Sequence, residues 1–273
     1  MIRRAIDILQ RRGINVLIRA AISRLRGSLA GQAKSFGDYR HLFVGKSGLE
    51  IGGPSAVFSE GGMFPVYPVV QLLDNCNYST TTVWSGDSGQ TTEFQFDPKK
   101  QSGRQFIGEA TSLSVLVSDS YDFVLSSHML EHTANPVLAL TEWKRILKPH
   151  GTLVLILPNP KYTFDHRRPV TTLSHLIADF EAAMSEEDLT HREEILALHD
   201  FQRDPDADDP ESFRLRSLRN FENRCLHHHV FDESLARELL QYVGLKVGSV
   251  EEVVPHHIVL LTMKETSSDI QSY

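Results

Sequence analysis

The stretch from Ser47 to Ser55 constrains the fold most strongly, because a short apolar run ends there in Glu50, two glycines and a proline. A buried parallel strand that ends in a tight turn has this pattern, and glycine lets the backbone approach a ligand closely. Amide groups beyond the glycines can face an anionic or polar group. The Glu50 carboxylate would lie at the carboxyl edge of the sheet, where open α/β sheets bind small molecules. On its own, the pattern also suits a plain turn.

Strand and helix patterns alternate after this turn and predict a doubly wound, mainly parallel α/β sheet. The predicted strands are Gly48–Ile51, Val66–Leu73, Phe106–Ala110, Tyr121–Ser126, Thr152–Leu157, Leu245–Val250 and His257–Met263. The predicted helices are 2–29, Pro136–Leu147, Leu173–Met184, Glu186–His199, Glu211–Arg224 and a helix that Asp232 caps and Gly244 ends. We therefore expect a basic head over residues 1–35, an α/β core over 36–158 and 232–264, a mainly helical insertion over 159–231 and a tail over 265–273.

The charge of the chain is divided unevenly. The net charge is -7, yet residues 1–35 carry eight Lys or Arg and one acid, which is +7 and leaves -14 for the remainder. A basic head on an acidic body argues against nucleic acid wrapped around the whole protein. No segment reaches the roughly 18 apolar residues of a membrane span, and no signal peptide is recognised. Because the two cysteines lie far apart, a reducing, cytoplasmic compartment is expected.

The basic head has the pattern of an amphipathic helix. Its apolar residues recur at three- and four-residue steps, and arginines flank the resulting stripe. The stripe consists of Ile14, Ile18, Ile22, Leu25 and Leu29. Such a helix can lie on an anionic membrane surface, here the inner membrane face. It can equally pack on its own domain or on a partner protein, and the sequence does not choose between these interpretations.

Four stretches carry a family resemblance: Gly48–Ser55, Gly108–Ala110, Tyr121–His132 and Glu142–Pro158. With them the chain resembles the class I S-adenosylmethionine-dependent methyltransferases of the methyltransferase-11 type. The resemblance covers about residues 45–158 well and 232–264 loosely. It implies a Rossmann-like, seven-stranded sheet whose last strand is antiparallel, and S-adenosylmethionine as the cofactor.

The resemblance also implies roles for individual residues. Glu50, Gly52 and Gly53 would form the cofactor loop, and Asp74, at the end of strand two, would accept hydrogen bonds from the ribose hydroxyls. The remaining cofactor-binding residues would be Glu109 and Ala110 beside the adenine and Ser126, Ser127 and His128 on the methionine side. Pro54 departs from the family pattern, because it replaces the last glycine and removes an amide donor.

The insertion contributes candidates for the acceptor site. Methylation of a hydroxyl needs a base, and histidine titrates near working pH. His166, expected to pair with the neighbouring Asp165 as a catalytic unit, is the first choice, and His132 is the second. Arg167 and Arg168 are candidates for binding a phosphate or carboxylate of the acceptor, together with His228. No metal site is predicted, because no HxxxH or HxH pair with a matching acid stands out among the 13 histidines.

The sequence thus predicts a methyltransferase that acts on a hydroxyl of a small molecule, a saccharide or an envelope precursor in glycan biosynthesis, at or near the inner membrane face. One alternative is a binding or scaffold module with the methyltransferase fold but without cofactor turnover, which Pro54 motivates. A second alternative is a metal-dependent hydrolase that uses the histidine-rich insertion. The sequence does not determine the oligomeric state.

Overall fold

The computed structural model describes residues 31–82, 86–87, 92–204, 207 and 209–266. The predicted head helix over residues 2–29 lies outside this part of the chain. The strands are β1 Ser47–Ile51, β2 Leu72–Asn77, β3 Thr81–Thr82, β4 Gly86–Asp87, β5 Glu93–Phe94, β6 Gly103–Ile107, β7 Tyr121–Ser127, β8 Leu147–Pro158, β9 Leu245–Val253 and β10 His257–Lys264. The helices are α1 Lys34–Tyr39, α2 Pro136–Ile146, α3 Leu173–Glu181, α4 Arg192–Leu198, α5 Pro210–Ser217, α6 Asn220–Asn223 and α7 Glu233–Tyr242.

The main sheet has the strand order β5-β6-β2-β1-β7-β8-β10-β9. The ladders β6-β2, β2-β1, β1-β7 and β7-β8 are parallel, whereas β10 runs antiparallel to both β8 and β9. This confirms the doubly wound α/β fold and its antiparallel last strand. The sheet has one strand more than the expected seven, because the short β5 adds an antiparallel strand at the edge beside β6. The small strands β3 and β4 pair with each other in a separate sheet.

Strand two does not lie where the apolar pattern placed it. The prediction was Val66–Leu73, but β2 is Leu72–Asn77 and pairs with β1 from Ser47 opposite Leu72. The segment 65–70 forms turns whose apolar side chains fill the core, and its prolines, Pro65 and Pro68, cannot donate to a ladder. Half of β2, namely Asp74, Asn75 and Asn77, is polar and buried with hydrogen-bond partners, so a search for apolar runs misses this strand.

Two apolar layers cover the sheet. On one face, α2 and α7 pack on the strands through a cluster that includes Trp143 and Leu240. On the other face, α1 and the segment 56–70 supply an aromatic cluster around Phe43, Phe64 and Phe123. Ordinary start signals fix the helices: the Asn135 side chain accepts from the Leu138 amide and Pro136 follows it. Helix α7 begins after Asp232 as predicted.

The insertion is helical but more broken than its sequence pattern suggested. Its helices α3, α4, α5 and α6 are shorter than the predicted segments, with turns between them. An extended segment over residues 225–232, here called the strap, then returns to the core at α7. No helix within the described ranges is long and apolar enough to cross a membrane.

Candidate functional site

The glycine turn after β1 requires both of its glycines. Gly52 has φ +86°, and a Cβ there would lie 3.0 Å from Cγ of Met129. A Cβ on Gly53 would lie 2.3 Å from Cδ of Glu50, so any larger residue would collide with that carboxyl group. The backbone of the turn therefore lies close to the Glu50 carboxyl group and to the segment that follows β7. Glycine permits such close packing.

The side chain of Glu50 stabilises the turn through hydrogen bonds. Its carboxylate, which is fully buried, accepts hydrogen bonds from the Ser55 amide at 3.0 Å and from the Tyr67 hydroxyl at 2.6 Å. Burial raises the pKa of Glu50 to about 7, against the opposing effect of these two donors. The Glu50 side chain thus supports the backbone of the turn, and its place in a cofactor loop stays a prediction.

Side chains from β2 hold the turn from the other side. The Gly53 amide donates to Oδ1 of Asn75 at 3.0 Å, and the Gly53 carbonyl accepts from Nδ2 of Asn75 at 3.2 Å and of Asn77 at 2.9 Å. Asn77, rather than Asp74, ends this strand. Sequence reasoning missed both asparagines because the strand was placed too early.

Asp74 lies inside β2, and its carboxylate is bonded to residues of the neighbouring strands. Its carboxylate accepts from the backbone and guanidinium of Arg104 at 2.7–3.1 Å and from the Tyr121 hydroxyl at 2.8 Å. The expectation that Asp74 sits at the end of strand two is therefore wrong, and with it the geometric reason for a ribose contact. Its position instead links β2 to β6 and β7.

The adenine side contains a residue that the sequence did not suggest. Glu109 follows β6, and Arg224 from the end of the insertion donates to it at 2.6 Å. Arg224 also pairs with Glu186 at 2.7 Å and lies 5.2 Å over the ring of Tyr78. The carbonyl of Ala110 accepts from Nε1 of Trp143 at 3.0 Å. The insertion thus reaches the turn in which the resemblance expects the adenine.

At the end of β7, the predicted methionine-side residues lie beside the glycine turn. Ser126 pairs with Ile51 across the ladder, and its buried Oγ has no hydrogen-bond partner among the described residues. Ser127 ends the strand, and His128 follows with φ +50°. Nε2 of His128 lies 2.8 Å from Nδ1 of His257, the first residue of β10. Burial and the neighbouring His257 hold the pKa of His128 well below its usual range.

Beyond His128 lies a buried cluster of Glu131, His132, His227 and Asp165. Neither oxygen of Glu131 has a hydrogen bond from the part of the chain that the structure describes, and burial raises the pKa of Glu131 to about 7. Nδ1 of His132 lies 3.1 Å from the Leu226 carbonyl, so Nδ1 carries the proton and Nε2 is the basic atom. Nδ1 of His227 lies 2.5 Å from Oδ2 of Asp165.

Electrostatics distinguish the two histidines of this cluster. Burial and the adjacent His227 hold the pKa of His132 well below its usual range, so His132 is neutral near pH 7. Burial also disfavours a charged His227, but Asp165 outweighs it and raises the pKa of His227. The result is a neutral imidazole next to a carboxylate-paired one, which is an arrangement suited to proton transfer.

The predicted acceptor residues are only partly brought together. His166 contacts Asp200 at 2.8 Å rather than its neighbour Asp165, so the expected His166–Asp165 pair is wrong. Arg168 is buried and donates to Glu194, Asp165 and the carbonyls of His227 and His228 at 2.8–3.1 Å. Its guanidinium therefore ties the strap to the insertion instead of facing an acceptor.

His228 and Arg167, the other two candidates for binding the acceptor, differ in solvent exposure. The His228 side chain is buried, with Nε2 3.0 Å from Nδ2 of Asn220, which corrects its expected role in binding the acceptor. Arg167 remains half exposed, 3.4 Å from Asp200, and keeps its place as a candidate for acceptor binding.

Metal-ligating side chains converge where none were expected. Three groups of His, Asp and Glu in the described part of the chain bring ligand atoms within 4.8 Å of one another. They are His175, Asp179, His191 and His229; His128, His256 and His257; and Glu131, His132 and His227. The spacing of four residues between His175 and Asp179 was the available signal, since it places both side chains on one face of a helix.

One comparison, with protein families, agrees with the sequence resemblance. Residues 88–155 match the methyltransferase domain family. Among solved structures, an S-adenosylmethionine-dependent methyltransferase from Mesorhizobium loti is similar at 13% identity and a TM-score of 0.48, over 85% of this chain and 98% of its own. One from Aquifex aeolicus has 14% identity and a TM-score of 0.47, over 87% and 92% of the two chains. No curated protein sequence matches the chain. The family match confirms the predicted resemblance and supports the cofactor that it implies.

Proposed function

We propose that this chain, which is similar to the class I S-adenosylmethionine-dependent methyltransferases, transfers a methyl group to a hydroxyl of a small-molecule or saccharide acceptor. One observation carries the proposal: the turn Met129–His132, which ends in His132, packs so close to the glycine turn that a Cβ on Gly52 would lie 3.0 Å from Cγ of Met129. A cofactor-binding turn and a neutral base are thereby joined at one edge of the sheet, where ligands bind in such folds.

The residues around the glycine turn fit the cofactor. Gly52 is exposed and keeps the backbone of the turn accessible, and Asn77 ends β2 where a polar contact to the ribose is needed. The buried hydroxyl of Ser126 has no partner among the described residues. Glu109, held by Arg224, remains partly exposed beside the expected adenine position. When bound, S-adenosylmethionine supplies an electrophilic methyl group on a sulfonium sulfur.

His132 is our candidate for the base, in place of His166. Nε2 of His132 would take the proton of the acceptor hydroxyl, and bound S-adenosylmethionine would supply the methyl group. The developing imidazolium would be stabilised by the nearby Asp165 carboxylate, which already favours positive charge on His132. His227 lies between them, with its ring 4.5 Å from that of His132, and Arg168 fixes Asp165 in place.

We infer the acceptor class from features outside this cluster. The apolar stripe and arginines of residues 1–30 support a saccharide or lipid-linked envelope precursor handled at an anionic membrane surface. The exposed guanidinium of Arg167 suits a phosphate or carboxylate on such an acceptor.

The test uses the full chain and the cofactor product. Calorimetry with S-adenosylhomocysteine should show binding at one site per chain. His132→Gln should keep that affinity and lose methyl transfer to hydroxyl acceptors, whereas the matched control His41→Gln, at an exposed position, should change neither. Absence of affinity for S-adenosylmethionine and its product would favour the scaffold module. Binding with normal turnover in His132→Gln would remove His132 as the base.

A further inference from the structure

Four side chains in the insertion direct their ligand atoms at one point. His175 and Asp179 lie four residues apart on α3. His191 is the residue before α4, and His229 belongs to the strap. Three separate segments of chain therefore meet through three imidazoles and one carboxylate, here called the cap cluster.

The distances within the cap cluster are those of a metal's ligand shell. Nε2 of His175 lies 3.0 Å from Nε2 of His191 and 3.3 Å from Oδ2 of Asp179. That same carboxylate oxygen lies 3.0 Å from Nε2 of His229. Zinc in a tetrahedral site has ligands at about 2.0–2.1 Å, which places neighbouring ligand atoms roughly 3.3 Å apart. These three separations are close to the edge length of such a tetrahedron, and all the ligand atoms lie within 4.8 Å of one another.

Without a metal ion, hydrogen bonds cannot satisfy all of these contacts at once. Nε2 of His175 is close to both Nε2 of His191 and Oδ2 of Asp179, but an imidazole nitrogen carries at most one proton. If that proton points to Asp179, the 3.0 Å contact between the Nε2 atoms of His175 and His191 has no proton to share, because a protonated imidazole nitrogen has no lone pair to accept one. If His191 donates to His175, the lone pair of His175 also faces the carboxylate. A cation at the centre accepts a lone pair from all four atoms and removes this conflict.

The cap cluster is buried on one side and open to solvent on the other. The side chains of Asp179 and His229 are 9% and 1% exposed, whereas His175 is 40% exposed. Nδ1 of the buried His229 has no hydrogen-bond partner within the described ranges. A buried carboxylate surrounded by imidazoles is costly unless a charge compensates it. An ion could enter past His175.

We propose that His175, Asp179, His191 and His229 bind one divalent transition-metal ion, with zinc as the best fit. Three imidazoles and one carboxylate suit zinc better than magnesium or calcium, which prefer oxygen ligands. Because protein atoms occupy all four positions, the site is structural. It fastens the strap to α3 and α4 two residues after His227, and so positions His227 in the buried cluster. The metal site goes beyond the proposed methyl transfer and stands without it.

The first experiment measures the metal directly. Full-length protein is stripped with a chelator, and zinc is titrated by calorimetry in competition with a chromogenic chelator. We expect one tightly bound zinc per chain, a rise in melting temperature on zinc addition, and the visible absorption of tetrahedral cobalt when Co²⁺ replaces zinc. Wild-type protein without stoichiometric zinc binding would overturn the proposal.

Variants separate the cap cluster from the other two histidine groups. His175→Ala changes a partly exposed side chain, so the fold should survive, and it should weaken zinc binding about tenfold or more and abolish the cobalt spectrum. Asp179→Asn should act in the same direction. The controls His257→Ala and His132→Ala, in the other groups, should keep both signals. Loss of zinc in the controls, with retention in His175→Ala, would place the ion elsewhere and refute the assignment.

Discussion

The imidazole of His132 meets that of His227 edge-on, with ring centroids 4.5 Å apart and an angle of 85° between the planes. The contact joins the turn after β7 to the strap, 95 positions later in the chain (227 minus 132). Asp165, after β8, completes the set by pairing with His227 at 2.5 Å. Three loops at one edge of the sheet thus contribute to a single polar cluster, and each can be tested.

His132→Gln should lower turnover with a hydroxyl acceptor by about 100-fold or more, because general bases contribute on this scale. Affinity for S-adenosylhomocysteine should stay within a factor of about two of wild type, since the side chain is placed for proton transfer rather than for cofactor binding. In the wild type, the pKa of His132 is lowered, so the base is unprotonated at neutral pH. The acid limb of the kcat profile should therefore lie below pH 6.5, the usual range for histidine. Turnover that falls above pH 6.5 as His132 loses its proton would contradict the assignment.

Gly52→Ala should destabilise the protein and impair cofactor binding. Its φ of +86° strains any L-residue, and the added methyl group would press on Met129 at 3.0 Å. The expected loss in free energy of unfolding is about 1–2 kcal/mol from the backbone alone. Thermal or denaturant unfolding measures it, and calorimetry measures the affinity. Gly61→Ala is the matched control, because a methyl group at that position would have no described atom within 4 Å. Equal behaviour of the two variants would show that the turn tolerates a side chain.

Much of the fold could be read from the sequence because its signals are local. The buried runs of β7 and β8, the start of α2 at Pro136 and the Asp232 cap of α7 lie where the pattern placed them. Strand β2 could not be found this way, because its buried polar residues satisfy their hydrogen bonds with distant partners. Asn75, for example, bonds to Gly53 and Gln105.

The candidate site was harder to predict, because its pairs are distant in sequence. Asp165 stands next to His166 in the chain, yet the fold pairs it with His227, 62 positions away, and pairs His166 with Asp200. Adjacent residues in a loop point in different directions, so adjacency is weak evidence for a pair. By contrast, the helical spacing of His175 and Asp179 does fix a shared face, and that part of the cap cluster was present in the sequence.

Asp74→Ala should reduce stability more than cofactor binding. The carboxylate holds Arg104 and Tyr121, and Tyr121 is buried, so removing it leaves a buried hydroxyl without its acceptor. We expect a loss of about 1–3 kcal/mol in the free energy of unfolding. S-adenosylhomocysteine should bind folded Asp74→Ala nearly as well as wild type, and Asn77→Ala, at the strand end, should bind it more weakly. A selective loss of affinity in Asp74→Ala would restore the ribose role.

Glu50→Gln should change how stability depends on pH. Burial raises the pKa of Glu50 from 4.5 to about 7 in the folded protein. A raised pKa means that the contribution of Glu50 to stability is fully present below pH 4.5 and is lost as the pH rises through about 7, because the unfolded chain ionises first. The shift corresponds to at most about 3 kcal/mol.

Denaturant unfolding at a series of pH values tests this dependence. Between pH 5 and 8, the wild type should lose stability relative to Glu50→Gln, whose side chain cannot ionise. Glu60→Gln, at an exposed position, is the control and should run parallel to the wild type. Parallel curves for wild type and Glu50→Gln would mean that Glu50 is already ionised in the folded turn. The hydrogen bonds from Ser55 and Tyr67 would then outweigh the cost of its burial.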